Sequence, residues 1–212
     1  MTRLLACLLA ALILAGCGGT RETREPDVVV KGSATPAAEE EDSEGGGGPV
    51  SIWVVTHGQA SSAFWTIVRN GVDAASRQTA VQVTYRSPDV YDVGTMRDLI
   101  DDAVAAKPDG LVVSIPSEEL APAIRRAVKA GIPVVSINSG SDIARRIGTL
   151  AHIGQPEEKA GYQAGRRLAR AGASDALCVN QEVGNVGLDR RCAGFARAMR
   201  EAGGSSRVVP AL

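Results

Sequence analysis

Apolar and polar positions change their period several times along the chain, and each change marks an element. Leu111 to Ile115 and Ile132 to Ile137 are apolar almost without alternation, the pattern of parallel strands covered on both faces. Between them Leu120, Ile124, Ala127 and Val128 recur at helical spacing, and Gly131 stands where a helix would stop. Asp109 to Gly140 therefore reads as one strand, helix, strand crossover. Upstream, Ile52 to Thr56 reads as a buried strand, followed by a turn over 57–61 and a helix striped by Phe64, Ile67, Val68, Gly71, Val72 and Ala75. Val81 to Arg86 predicts the second strand, and Met96, Leu99, Ile100, Ala103 and Val104 the second helix. Downstream, Thr149 to Gly154 predicts a fifth strand and 157–171 a helix in which Ala160, Gly161, Ala164 and Gly165 allow close packing. A strand over 176–180, a loop over 181–187 and a helix with Leu188, Cys192, Phe195 and Met199 on one side follow. The expected fold is α/β, a doubly wound parallel sheet. In such a sheet ligands collect in the crevice beyond the carboxyl ends of the strands.

Before Val50 the patterning is of another kind. Thr2-Arg3 precedes an apolar run, Leu4 to Leu14, and then Leu14-Ala15-Gly16-Cys17, which is similar to a bacterial lipoprotein export signal. The run is short for a permanent membrane span, so residues 1–16 are expected to be cleaved and Cys17 to carry lipid. Gly18 to Pro49 is rich in Gly, Glu, Thr, Pro and Ala, with too little apolar surface to fold, so 17–49 reads as a lipidated cysteine and tether. A flexible coil of that length reaches roughly 30 Å. Residues 50–155 are then an N-terminal α/β lobe, and 156–212 the start of a second lobe that stops early.

Composition narrows the function. A net charge of −1 and a hydrophobic fraction of 44 % describe ordinary globular material without a basic field for nucleic acid. No Gly-x-Gly-x-x-Gly follows a strand, no phosphate-cradling Gly-x4-Gly-Lys-Ser/Thr occurs, and no Cys-x2-Cys pair could hold zinc. His57 and His152 are the chain's two histidines, and neither lies near a Gly-x-Ser-x-Gly elbow. No enzyme, metal or cofactor is expected. Once Cys7 leaves with the signal and Cys17 takes lipid, Cys178 and Cys192 remain, which leaves room for one disulfide, with two buried thiols as the alternative.

What the strand ends carry is polar and aromatic: His57, Phe64 and Trp65, then Ser114, then Asn138 and Ser139, then His152 and Gln155, then Asn185 and Arg191. That set suits a sugar, whose C–H faces an aromatic ring can cover and whose hydroxyls Asn, Gln and Arg can hold. Trp65 is expected to be a stacking platform. Each residue also has a structural alternative: Phe64 can pack on the sheet, Asn138 and Ser139 can form an Asx turn, and the histidines can be satisfied within their loops.

The order of motifs carries a resemblance. The export signal, Phe64-Trp65 opening the first helix, Lys107-Pro108-Asp109-Gly110-Leu111, Gly131-Ile132-Pro133-Val134-Val135, His152-Ile153-Gly154-Gln155 and Arg191-Cys192-Ala193-Gly194-Phe195 together resemble a type I periplasmic substrate-binding protein of a sugar ABC transporter. The resemblance implies two α/β lobes closing on ligand, with Phe64, Trp65, Ser114, Asn138, Ser139 and Gln155 at first-lobe binding positions and Asn185 and Arg191 at second-lobe positions. It further implies a monomer that delivers a small sugar to permease subunits. Many ribose and galactose binders carry Asp where this chain has Asn138, which leaves the sugar open. Repressors with the same fold begin in a DNA-binding helix-turn-helix where this chain has an export signal and tether, so no nucleic-acid partner is expected. A signalling receptor for autoinducer-2, a nucleoside or a polyol is the alternative.

Overall fold

The computed structural model describes residues 48–58 and 62–211. The expected export signal, the lipidation of Cys17 and nearly all of the tether lie outside the described residues. Five short strands form one sheet: β1 (Ser51–Val55), β2 (Gln82–Arg86), β3 (Gly110–Ser114), β4 (Val134–Ile137) and β5 (Ala151–Ile153). Their order is β2-β1-β3-β4-β5 and every pairing is parallel. Order reverses at β1, so the loops after β1 and β3 diverge and leave a crevice at that end. Helices α1 (Ala63–Thr79), α2 (Val93–Ala106) and α3 (Ala121–Lys129) make the crossovers.

The core lies between one sheet face and α2 and α3. Val55, Leu111, Val113 and Val134 meet Met96, Ile100, Ala103, Ile124 and Ala127, all essentially without solvent exposure. Local signals fix the ends of these helices. Asp92 caps α2 by accepting from the Thr95 N–H, and Gly131, at φ 81°, takes the left-handed conformation just past α3.

On the other face α1 behaves differently from the expected stripe. Phe64 and Ile67 are exposed, and Trp65, which the stripe omits, is the one buried residue of the helix. The helix touches the sheet at two places that are not aliphatic: the Trp65 ring sits edge-on to His57 at 4.8 Å, and the Arg69 guanidinium lies 4.3 Å over the Tyr85 ring.

Beyond β5, α4 (Glu157–Arg170) and α5 (Val186–Glu201) accompany β6 (Asp175–Asn180) and β7 (Ser205–Pro210). The sequence predicts one strand in this region; the structure has two, paired in parallel. Helices α4 and α5 cross with backbones nearly touching. A Cβ on Gly161 would stand 1.8 Å from the Arg191 carbonyl oxygen, and one on Gly194 2.0 Å from that of Glu158. A disulfide joins Cys178 on β6 to Cys192 on α5. Among the described residues, no helix is long and apolar enough to cross a membrane.

Candidate functional site

At the carboxyl ends of β1, β4 and β6 the chain encloses a cavity of about 90 Å³. Its walls are built from strand-end loops and helix starts. Seven of the ten strand-end residues expected to carry polar and aromatic groups line it: His57, Phe64, Trp65, Asn138, Ser139, Asn185 and Arg191. Glu157, Gln181, Glu182, Gly187 and Leu188 line it as well, and sequence reasoning missed them.

His57 anchors the floor. It is buried, and its backbone N–H and Nδ1 lie 3.0 and 2.8 Å from the Ser114 Oγ. Ser114 therefore stands behind the histidine and does not line the cavity. On the other side the Asn185 amide is oriented by its cap bond, because Oδ1 accepts from the Gly187 N–H and so turns Nδ2 toward His57 and Glu182. Asn185 Nδ2 donates to the His57 Nε2 at 3.3 Å and to the Glu182 Oε2 at 2.8 Å. With Nε2 accepting, the proton of the neutral ring belongs on Nδ1, where it donates to Ser114. Burial pushes the His57 pKa down to about 4, so at neutral pH the ring carries no charge.

Trp65 is 6 % exposed and Phe64 53 %, with their rings edge to face at 5.1 Å. Their close approach to the turn needs Gly58, since a Cβ there would lie 1.9 Å from the indole. Trp65 thus shows the cavity a small part of its ring while its body is held by His57, and Phe64 offers the open face.

Asn138 takes the left-handed conformation at φ 61°, which Asn tolerates better than most residues, and its Oδ1 accepts from the Ser139 Oγ at 2.8 Å. Opposite, Arg191 on α5 donates through Nε and Nη2 to one oxygen of Glu157 at 2.7 and 2.6 Å. Glu157 is buried at the first turn of α4, where the helix dipole also favours a negative charge. Gln155 lies outside this cavity. It lines an adjoining apolar hollow of about 500 Å³ with Val68, Ile137 and Ile153, and Phe64, Trp65, Asn138, Glu157 and Arg191 belong to both. His152 is turned away: its Nδ1 lies 2.9 Å from the Ser136 Oγ, and burial lowers its pKa against the pull of Asp142 and Glu157.

The missed residues had a partial signal. Gln181-Glu182 directly follows β6, just as His57 follows β1 and Asn138 follows β4, so their position at a strand end was readable. Glu157 gave none, because an acid in a helix's first turn has an ordinary electrostatic reason to be there. Three contacts bring α5 to the first sheet: Asn185 on His57, the Val186 N–H donating to the Pro116 carbonyl at 2.9 Å, and Arg190 paired with Asp142. Among the described residues no three of His, Cys, Asp and Glu are grouped to hold a metal ion.

An α/β unit with a polar cavity at the carboxyl edge of a parallel sheet is the form of a small-molecule binding lobe. Residues 52–211 match the periplasmic binding protein domain, and the chain belongs to that family. A carbohydrate transporter from Acidothermus cellulolyticus, solved in complex with myo-inositol, is 38 % identical over 77 % of this chain and 56 % of its own, with a TM-score of 0.71. GanP, a glucose-galactose binding protein from Geobacillus stearothermophilus, is 26 % identical over 77 % of this chain and 58 % of its own, at a TM-score of 0.66. A periplasmic sugar-binding protein of an ABC sugar transporter from Legionella pneumophila, 24 % identical over 76 % of this chain and 60 % of its own, shares the fold at a TM-score of 0.72. The chain therefore spans somewhat more than half the length of these structures. No curated protein matches it.

Proposed function

We propose that this chain is an extracytoplasmic binding lipoprotein that takes a small neutral sugar or cyclitol at the His57 cavity and presents it to the permease of an ABC transporter. The observation that carries this reading is the convergence of seven separately predicted residues, from the segments that follow three strands, on one cavity. Its chemistry suits polyhydroxylated ligands: Asn138, Ser139, Gln181 and Glu182 offer hydroxyl partners around the rim, while Phe64 and Trp65 offer apolar ring surface. The relative bound to myo-inositol adds a chemical precedent. The reading includes residues 1–16 as export signal, lipid on Cys17, 17–49 as tether, 50–155 as first lobe, 156–212 as part of a second, and a monomeric protein without catalytic activity.

Isothermal titration of the chain with myo-inositol, D-glucose, D-galactose and D-arabinose tests it. Saturable binding of one of them at one site per chain, weakened by about 1 to 3 kcal/mol in Phe64→Ala, is the expected result. No binding by any of the four overturns the reading. Replacing Cys17 with Ser and finding the protein still held in the membrane fraction would remove the lipid anchor from it.

A further inference from the structure

Charge is unevenly distributed around the cavity. Two carboxylates line it, Glu157 and Glu182, against one cation among the described residues, Arg191. The cation is already committed, since both of its short contacts go to Glu157. His57 is the nearest titratable base to Glu182, at 3.6 Å, and it is neutral near pH 7. Glu182 therefore lines the cavity with no lysine or arginine partner among the described residues. It is well covered, with its side chain 14 % exposed, so solvent screens it weakly.

The group is held in place and not free to turn away. Its backbone N–H donates to the Asn180 Oδ1 at 3.1 Å, and its Oε2 accepts from Asn185. That leaves Oε1 and the remaining lone pairs as acceptors. Tyr91 lies beside this corner of the cavity. Tyr91 stands edge-on to His57 at 6.0 Å, and its pKa is pushed up to about 12, first by burial and then by Glu182, Asp189 and Glu119. Its hydroxyl is buried without a hydrogen-bond partner.

We infer that Glu182 is a specificity-determining residue: its carboxylate accepts a ligand hydroxyl and excludes ligands carrying a carboxylate or phosphate. The inference rests on the polyol reading of the same cavity and adds a charge filter to it. A carboxylate in the cavity wall, weakly screened because its side chain is only 14 % exposed, disfavours an anionic ligand seated there by like-charge repulsion. A hydroxyl or ammonium group at the same place is an acceptable donor.

The test uses matched pairs in calorimetry at low salt: D-glucose with D-glucuronate, D-galactose with D-galacturonate, and myo-inositol with its 1-phosphate. For whichever neutral member binds, the charged member is expected to bind at least about tenfold more weakly to the native chain. Glu182→Gln is expected to narrow that ratio by about tenfold, and Glu182→Asp, which keeps the charge, to preserve it. A ratio unchanged in Glu182→Gln, or equal losses for both members of a pair, would assign Glu182 a purely structural role and overturn the inference while leaving the polyol reading intact. Binding of no neutral member overturns the polyol reading and the filter together. Thermal melts of both variants confirm that each measurement is made on folded protein.

Discussion

The five-stranded sheet and the β6–β7 unit are both parallel α/β structures, yet they are held by different means. In the first, aliphatic side chains from β1, β3 and β4 fill the space against α2 and α3. In the second, Leu177 and Val179 on β6 are 53 % and 62 % exposed, and a small buried patch on α5, Phe195, Ala198 and Met199, is supplemented by a glycine-mediated helix crossing and a disulfide. Area buried from water drives the one; close backbone approach and a covalent tie help to hold the other. The cavity takes residues from both, so its geometry depends on the weaker means as much as on the stronger.

The sharpest break is expected in the first region. Ile124→Ala leaves a hole among fully buried neighbours and should cost about 4 kcal/mol, read as a shifted denaturant midpoint. A loss below about 1 kcal/mol would mean that the core is less tightly packed than its burial implies. In the second region the covalent tie gives the next test. Replacing Cys178 and Cys192 with Ser, which opens a loop with a sequence separation of 14 residues, should cost about 3 kcal/mol. Alkylation without reductant followed by mass spectrometry checks the bridge itself, and labelling of both Cys178 and Cys192 would refute it.

Gly161→Ala should cost about 2 to 3 kcal/mol, because the added methyl meets a main-chain carbonyl and not a movable side chain. As that carbonyl belongs to Arg191, the same substitution should also weaken ligand binding, which separates it from a purely structural defect. A smaller effect joins the two regions. His57 is neutral near pH 7, because burial lowers its folded pKa to about 4 from the ordinary histidine value of 6.5. The unfolded chain therefore binds a proton that the folded chain does not as pH falls through that window. Stability is constant above the unfolded value and should decline by about 2 kcal/mol between pH 7 and pH 5. His57→Gln should flatten that slope; an unchanged slope would assign it to other groups.

The first region was the more legible one, for the same physical reason that it is the better packed. Strands covered on both faces must be apolar throughout, so β3 and β4 announced themselves, and Gly131 marked the end of α3. β7 was missed because Ser205-Ser206-Arg207 has neither an apolar run nor alternation, and its partner strand exposes its own aliphatic residues. The placement of Trp65 escaped the periodic stripe because it is buried against a histidine and a glycine turn, contacts that no helical spacing encodes. At the site, residue types at strand ends were readable, whereas their division of labour was not. Ser114 behind His57, Arg191 on Glu157 and Glu182 beside His57 are facts of which side chain meets which across more than 30 residues of sequence.

The bond from Asn185 to His57 joins residues 128 positions apart. Contacts of such separation demand that most of the chain be ordered first, since the loop they close costs entropy before any packing repays it. The binding cavity should thus be among the last parts of the molecule to assemble and among the first to open in the native state. Its amide protons, notably those of Asn185 and Val186, should exchange with solvent well before those of β3.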